Sequence, residues 1–265
     1  MAYSTYETLL LDRDEHGIVT LTLNRPESLN SASHKMVAEV PKAILEVGED
    51  LDARVLVITG AGRGFSSGQD MKGTPQEVPG LRKRYMPRTP EDNFVFAIRK
   101  IPQPVIAAVN GPAVGWGLSL AAAAELRIAS DKARFGAVWV TRGLPPEAQG
   151  GYLLPQIMPL PKVFEMVFLG KIFDAQEAKE AGLINILVPH SELQAKTHEV
   201  ALKLAKGPPI ALAMAKRAIY MGLRQDLDSF TQYESLTMRI ALQSDDRLEG
   251  IRSFLEKREP RFKGE

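Results

Sequence analysis

Hydrophobic residues cluster along this chain in short β-branched runs separated by glycine-rich turns, and then change to helical spacing. Val105–Val109 (VIAAV) and residues 54–59 (RVLVIT) are apolar and short, the signature of strands buried on both faces. Ile18–Leu23 (IVTLTL) is a third strand, entered at His16-Gly17 and stopped by Asn24-Arg25-Pro26. Ser33 is placed to cap a helix reaching about Gly48, with Met36, Val37, Val40, Ile44, Leu45 and Val47 at helical intervals. Residues 93–100 predict a short helix, 126–129 a strand, and 135–140 a further extended piece. Helices follow over 161–169 and 175–181, the second ended by Gly182, and then a strand over 183–188. From Ser191 onward the pattern is helical, over 191–206, 209–221, 226–242 and 246–257, punctuated by Pro208-Pro209 and Gly222. Repeated strand–turn–helix units ending in a helical tail predict an α/β protein.

The turns carry the candidate chemistry. After the 54–59 run comes Gly60-Ala61-Gly62-Arg63-Gly64-Phe65-Ser66-Ser67-Gly68-Gln69-Asp70. After Val105–Val109 come Asn110-Gly111-Pro112 and Gly115-Trp116-Gly117, opening a helix of small residues. A turn of this kind leaves backbone N–H groups free at a helix start, where negative charge is stabilised. Two of them side by side can form an oxyanion hole for a carbonyl that becomes an enolate or a tetrahedral adduct.

Composition narrows the remaining chemistry. With 265 residues the chain can bury a substantial core in one domain plus a short appendage. A net charge of +1 with interspersed signs argues against nucleic acid or a membrane surface as partner. The absence of cysteine removes disulfides and thiolate chemistry. His16, His34, His190 and His198 fall in no metal-ligand or Ser/His/Asp spacing, so no metal site is expected and acid–base work falls to carboxylates. No run approaches the ~18 apolar residues of a membrane span. The first residues, MAYSTYETLLLDRDEHG, lack a basic-then-apolar signal pattern and RFKGE is no peroxisomal address, so a cytoplasmic location is expected.

The segments RGFSSGQD, PVIAAVNGPAVGWGLSLA and FGAVWVTRGLPPEAQG resemble those of the crotonase (enoyl-CoA hydratase/isomerase) superfamily. So do LTLNRPESLNS, GKIFDAQEAKEAGLIN and SDDRLEGIRSFLEKREPRFKG, in the same order along nearly the whole chain. The resemblance implies a crotonase-like spiral of ββα units over 1–190, holding the CoA and acyl sites. It also implies a helical region over 191–265 that forms a homotrimer, or a dimer of trimers, and covers the CoA. The substrate it implies is an acyl-CoA thioester, with no separate cofactor.

The carboxylates distinguish members of the superfamily. At the two positions where the hydratases carry glutamate, this chain has Ser119 and Trp139. Hydration needs one carboxylate to activate water and a proton delivered at the α-carbon, so efficient hydration is not expected. Glu147, in RGLPPE, resembles the acid of the Δ3,Δ2-enoyl-CoA isomerases, with YLLPQIM continuing into a helix. The resemblance makes Glu147 the base and the backbone N–H groups of Gln69 and Trp116 the oxyanion donors. Trp139, Leu144 and Tyr85 are then expected to line the acyl pocket, and the Trp116 indole to narrow it. Arg25, Ser28, Ser66, Asp70 and Met71 match stretches that line the pantetheine and adenine. Phe254 and Lys257 match residues that reach the adenine and phosphates, in relatives from a neighbouring subunit. Residues 73–91, rich in Gly, Pro, Arg and Lys, read as a surface loop or as a lid bringing cations and Tyr85 to the pocket.

Three other activities remain open at this level. One is residual enoyl-CoA hydration. Another is hydrolysis of the 4-chlorobenzoyl-CoA dehalogenase kind with Glu147 as nucleophile, although the histidine those enzymes use has no counterpart in residues 93–98. The third is a non-catalytic CoA- or RNA-binding role.

Overall fold

The computed structural model describes residues 3–71 and 93–265; the expected loop or lid at 73–91, with Tyr85, lies outside them. The main sheet begins with a hairpin, β1 (Leu9–Arg13) antiparallel to β2 (Ile18–Leu23). It continues in parallel through β3 (Val55–Gly60) and β4 (Val105–Val109). The short strand β5 (Pro112–Val114) leaves this sheet, and the chain returns to it as β6 (Leu126–Ser130). β7 (Arg134–Gly136) and β8 (Ile172–Asp174) join β5 in a second sheet, and β9 (Ile186–Val188) closes the first beside β6. Single bridges from Ser66 to Ala113 and from Ala32 to Gln69 extend the second layer back toward the start of the chain. Each circuit therefore runs from a main-sheet strand through this second layer, which is the crotonase-like spiral.

Helices fill the inside of each turn. Ser33 caps α1 (His34–Glu49), its side chain accepting from the Met36 N–H at 3.2 Å. Asn93 caps α2 (Phe94–Lys100) in the same way, at 2.9 Å from the Val95 N–H. Both pack with α3 (Trp116–Ala123) into one apolar cluster on one face of the main sheet, with Met36, Ile44, Ile98, Leu118 and Leu154 buried in it. The other face is covered by α7 (Leu193–Ala205), whose Leu193, Ala201 and Ala205 pack on Val57, Ile106 and Ile128. Between these two come α4 (Gly150–Ile157), α5 (Leu160–Phe168) and α6 (Ala175–Glu180). The α6 start is a full capping box between Asp174 and Glu177.

Two sequence expectations change. The extended piece over 135–140 shrinks to Arg134–Gly136, after which Trp139 takes helical backbone angles and Val140–Arg142 forms a 3-10 turn. The buried Trp139 ring anchors that bend, and tertiary packing overrides the strand preference of its valines. The strand over 183–188 begins only at Ile186, because the N–H groups of Leu183 and Asn185 bond to Ala178 and Arg127 outside the ladder.

The C-terminal helices are α8 (Pro209–Gly222), α9 (Leu227–Leu242) and α10 (Asp245–Glu256). Polar contacts hold α8 to the core. Buried Lys216 donates to the Gln103 carbonyl at 2.9 Å and pairs with Glu125 at 3.2 Å; burial pushes its ammonium pKa down, against the pull of Glu125. Tyr220 donates to the same carboxylate at 2.7 Å. Arg99 stacks between the Tyr220 and Tyr152 rings, 4.4 and 5.0 Å from their centroids. By contrast α9 buries only Thr237, leaving Leu236, Met238, Ile240 and Leu242 exposed. Leu248, Ile251, Phe254 and Leu255 of α10 are exposed as well. Among the described residues no helix is long and apolar enough to cross a membrane.

The Tyr152 hydroxyl accepts from Arg99 and from Arg224, each at 3.2 Å. The Arg99 hydrogen bond, followed by that of Arg224, brings its pKa down to about 8 despite partial burial. The folded chain thus favours the phenolate. Its stabilisation is complete above the ordinary phenol range, near 10, and is lost as pH falls through about 8. A phenolate absorbance titration is expected to show one tyrosine with a midpoint about 8. That phase disappears in Tyr152→Phe and moves upward in Arg99→Met.

Candidate active site

Two buried asparagines shape the first glycine turn. Asn30 accepts from the Arg25 N–H and donates to the Ala61 and Gly64 carbonyls at 2.9 and 2.8 Å. Asn110 donates to the carbonyls of Gly60 and Gly62 at 2.9 and 3.0 Å. Carbonyls that a tight turn turns inward would otherwise lie buried without donors. The sequence marked Asn110 only as a strand stop and did not single out Asn30.

The second turn is stitched to the first through the backbone. Ser66 N–H donates to the Pro112 carbonyl and Val114 N–H to the Ser66 carbonyl, both at 2.9 Å. Gly68 and Gly115 meet across this seam: a methyl on either would lie 3.9 Å from the other's Cα. Both have positive φ, 97° and 53°, which places the following residues at the turn exits. Those residues are Gln69 and Trp116. Among the described residues neither backbone N–H has a hydrogen-bond partner. Trp116 itself is the first residue of α3 and has no positive φ, because Gly115 takes the turn that a Cβ would obstruct. Its indole packs edge-on to Phe94, 5.3 Å between centroids, in the apolar cluster.

Glu147 lies outside helix, in the turn that leads into α4, and is half-buried. Ala148 and Gln149 after it both adopt the left-handed conformation, φ 48° and 59°. Each such residue costs roughly 1–2 kcal/mol. The turn is held by the Gly150 N–H on the Glu147 carbonyl at 2.9 Å and by Asn93 donating to the Gln149 side chain at 2.9 Å. Ser119 Oγ, one turn into α3 from Trp116, also donates to the Glu147 carbonyl, at 3.3 Å. The Glu147 turn is thereby tied to the helix that begins at Trp116. Neither the left-handed pair nor the Asn93–Gln149 bond had a sequence signal, since Ala and Gln are poor formers of that conformation.

Trp139 spans the same space, 2% exposed. The benzenoid edge of its indole lies against Gly150, where a methyl would be 2.3 Å from Cη2 and 2.9 Å from Ser119 Oγ. Its Nε1 edge lies toward Gly115, 3.7 Å from where a methyl would sit. Leu144, expected to line the acyl pocket, is 45% exposed.

The residues expected to meet CoA fall into two groups. Arg25 pairs with Asp70 at 2.9 Å and donates to the Ser31 carbonyl at 2.6 Å, while the Ser28 hydroxyl donates to the Arg25 carbonyl. Met71 is exposed beside them, and Ser66 is fully buried, with its hydroxyl accepting from the Gly68 N–H. Phe254 and Lys257 are exposed at the end of α10. No hydrogen bond or ion pair links them to the Arg25 group among the described residues. The tail after them is tied by Asp246 to Lys263 and Gly264, and by Arg54, beside the start of β3, to Phe262. A separate cavity of about 650 Å³, lined by Thr20, Thr59, Asn110 and Thr197, opens on the sheet face that α7 covers. It holds none of the expected site residues. Among the described residues no three His, Asp or Glu side chains are grouped to hold a metal ion.

The sequence profile of the enoyl-CoA hydratase/isomerase family matches residues 13–265. A probable enoyl-CoA hydratase of Mycobacterium bovis is 36% identical, over 98% of this chain and 94% of its own. The 1,2-epoxyphenylacetyl-CoA isomerase of Escherichia coli is 35% identical, over 96% of this chain and 98% of its own. The crystal structure of an enoyl-CoA hydratase from Bacillus anthracis superposes with a TM-score of 0.90, at 35% identity, over 98% of this chain and 100% of that one.

Gly117 tests the seam between the turns. A methyl there would lie 2.6 Å from the Ser66 carbonyl oxygen and 2.7 Å from its Cβ. Gly117→Ala is expected to lower stability in urea denaturation by about 1–3 kcal/mol. It should also reduce turnover by more than tenfold at temperatures where the variant stays folded, because the turn exits at Gln69 and Trp116, the expected oxyanion donors, move apart.

Proposed function

Since the chain belongs to the enoyl-CoA hydratase/isomerase family, we propose that it moves the double bond of a 3-enoyl-CoA to the trans-2 position, with Glu147 as its one base. The observation that carries this reading is the contact of Ser119, Trp139 and Gly150. At the two positions where hydratases carry glutamate stand a fully buried hydroxyl committed to the Glu147 carbonyl and a buried indole. Water has no carboxylate there to activate it.

A double-bond shift needs neither water nor a second acid. Glu147 takes a proton from C2, and the electron pair moves onto the thioester oxygen as a dienolate. The N–H groups of Gln69 and Trp116 hold that oxygen. The carboxylic acid then returns the proton at C4, leaving the double bond between C2 and C3 and Glu147 ionised again. One carboxylate within reach of both carbons completes the cycle. The Escherichia coli relative, an isomerase of an aromatic-derived acyl-CoA by its name, supports isomerisation within this part of the family.

CoA binding follows from the same reading. Arg25, Ser28, Asp70 and Met71 line the approach to the oxyanion donors, with Ser66 as the buried support of that turn. Phe254 and Lys257 serve the CoA of a neighbouring copy, the ammonium acting as a point charge on phosphate. The exposed apolar side chains of α9 and α10 support burial between copies in a trimer, or in a dimer of trimers.

Glu147→Gln is expected to slow isomerisation of 3-hexenoyl-CoA by about 10³-fold, while the Kd for the thioester changes by less than about threefold. The wild-type enzyme should add water to crotonyl-CoA far more slowly than it isomerises 3-hexenoyl-CoA; the opposite order would overturn the assignment. Light scattering on the purified protein is expected to give the mass of three or six chains. A monomer at micromolar concentration would remove the neighbouring-copy role of Phe254 and Lys257.

A further inference from the structure

The cavity of about 650 Å³ behind the first glycine turn has a lining that packing does not call for. It lies on the sheet face covered by α7, toward the carboxyl ends of the parallel strands β2, β3 and β4. Ligands of open α/β sheets bind at such strand ends. Nearer the strand starts this face is apolar, with Ile18, Val55 and Ile106 clustered with Ala201 and Ala205 of α7. Toward the ends it changes to Thr20, Thr22, Thr59 and Asn110, with Thr22 the cross-strand partner of Thr59. The glycine turn itself, from Gly60 to Gly62, forms the adjoining wall.

The opposite wall is α7 and the 3-10 turn before it. Gln194 and His198, four residues apart, share one helix face. His190 comes from the turn and is held in place. Its Nδ1 lies 3.0 Å from Ser130 Oγ, and its backbone N–H donates to Asp131 at 3.0 Å. Thr197 interrupts the buried stripe Leu193, Ala201 and Ala205, and its Oγ1 has no hydrogen-bond partner among the described residues. Asn110 uses its Nδ2 on the turn carbonyls, while its Oδ1 has no donor. Both side chains line the cavity and both residues are more than nine-tenths buried. Native proteins leave few buried polar groups in this state. The hydroxyls of Thr20 and Thr22 also bond to nothing among the described residues.

The chemistry of the walls selects the ligand. Among the described residues that line the cavity there is no Asp, Glu, Lys or Arg. An ion taken in would be buried without a counter-charge, at a higher cost than a neutral group that finds hydrogen bonds. The carboxylates beside the imidazoles, Asp131 at His190 and Asp14 at 4.0 Å from His198, further oppose an anion. No Trp, Tyr or Phe is among the described lining residues, so no such ring face is offered to a planar base. Hydroxyls, amides and imidazoles remain, groups that donate and accept toward a partner doing both. We propose that this cavity is a binding site for a neutral polyhydroxylated molecule of monosaccharide size, separate from the residues assigned to the acyl-CoA. Its volume falls within the roughly 300–1,000 Å³ of small-molecule sites. The proposal does not depend on the reaction inferred above.

The test is a saturation-transfer NMR titration of the full-length protein with D-glucose, D-ribose, myo-inositol and D-glucitol. D-glucuronate and D-glucosamine serve as charged counterparts. At least one neutral compound is expected to bind with a Kd below about 10 mM, and both charged compounds at least about tenfold more weakly than that one. Saturating CoA should leave the binding unchanged. Thr20→Val, Thr22→Val and Thr197→Val combined keep the side-chain outlines and remove three hydroxyls, and should weaken binding more than about tenfold. If that protein does not fold, Thr197→Val alone carries the comparison, with an expected loss of about threefold. Four results would each overturn the proposal. These are no neutral compound bound below about 10 mM, as for a cavity that holds water only; equal binding of a charged counterpart; displacement by CoA; and affinity unchanged in the valine variants.

Discussion

Two backbones in contact govern the arrangement of this site. The turns after β3 and β4 are joined by hydrogen bonds between Ser66 and the β5 segment, and Gly68 and Gly115 supply the positive φ at which each turn closes. The N–H groups of two residues distant in sequence, Gln69 and Trp116, thereby stand at the exits of adjoining turns. In the proposed reaction these N–H groups form a preorganised oxyanion hole: the dipoles are fixed before a substrate arrives, so little reorganisation accompanies charge development. The spiral supplies the fixing. Each strand of the main sheet hands the chain to the second layer, and the ladder through Ala32, Gln69, Ser66, Ala113 and Phe135 locks the turns in register.

Rigid turns with inward carbonyls need internal donors, and here polar side chains provide them. Asn30 and Asn110 together bond to carbonyls of Gly60, Ala61, Gly62 and Gly64. Arg127, buried and with its guanidinium pKa pushed down by desolvation, donates to carbonyls at the end of α3 and to Leu183. Lys216 and Glu125 do comparable work between α8 and the sheet. A buried ion pair contributes little net stability over an apolar pair, but removing one partner strands the other. These groups therefore fix geometry more than they deepen the energy minimum.

The sequence disclosed the elements with strong periodicity and the turns with strong glycine punctuation. Ile18–Leu23 and Val105–Val109 appear at the residues their patterns indicate, and Ser33 and Asn93 cap the helices that follow them. The edge strand Leu9–Arg13 escaped because it mixes charge with leucine and depends on its partner Ile18–Leu23 for definition. The bend at Trp139 escaped because burial of one large ring, and no local preference, produces it. Around the site, pattern alone indicated two anion-stabilising turns, and the place of Glu147 came only through resemblance. The left-handed pair Ala148–Gln149 could not be foreseen, since nothing in either side chain asks for that conformation; contacts from Asn93 and Ser119 impose it.

Ser119, Trp139 and Gly150 behave as one packing unit. Gly150 has no room for a methyl because the Trp139 ring and the Ser119 hydroxyl already occupy its surroundings. A glutamate at 119 would extend from a fully buried position into that ring, and one at 139 would leave the space beside Gly150 unfilled while burying a charge. Placing carboxylates at both 119 and 139 therefore also requires a new support for the Glu147 carbonyl that Ser119 now holds.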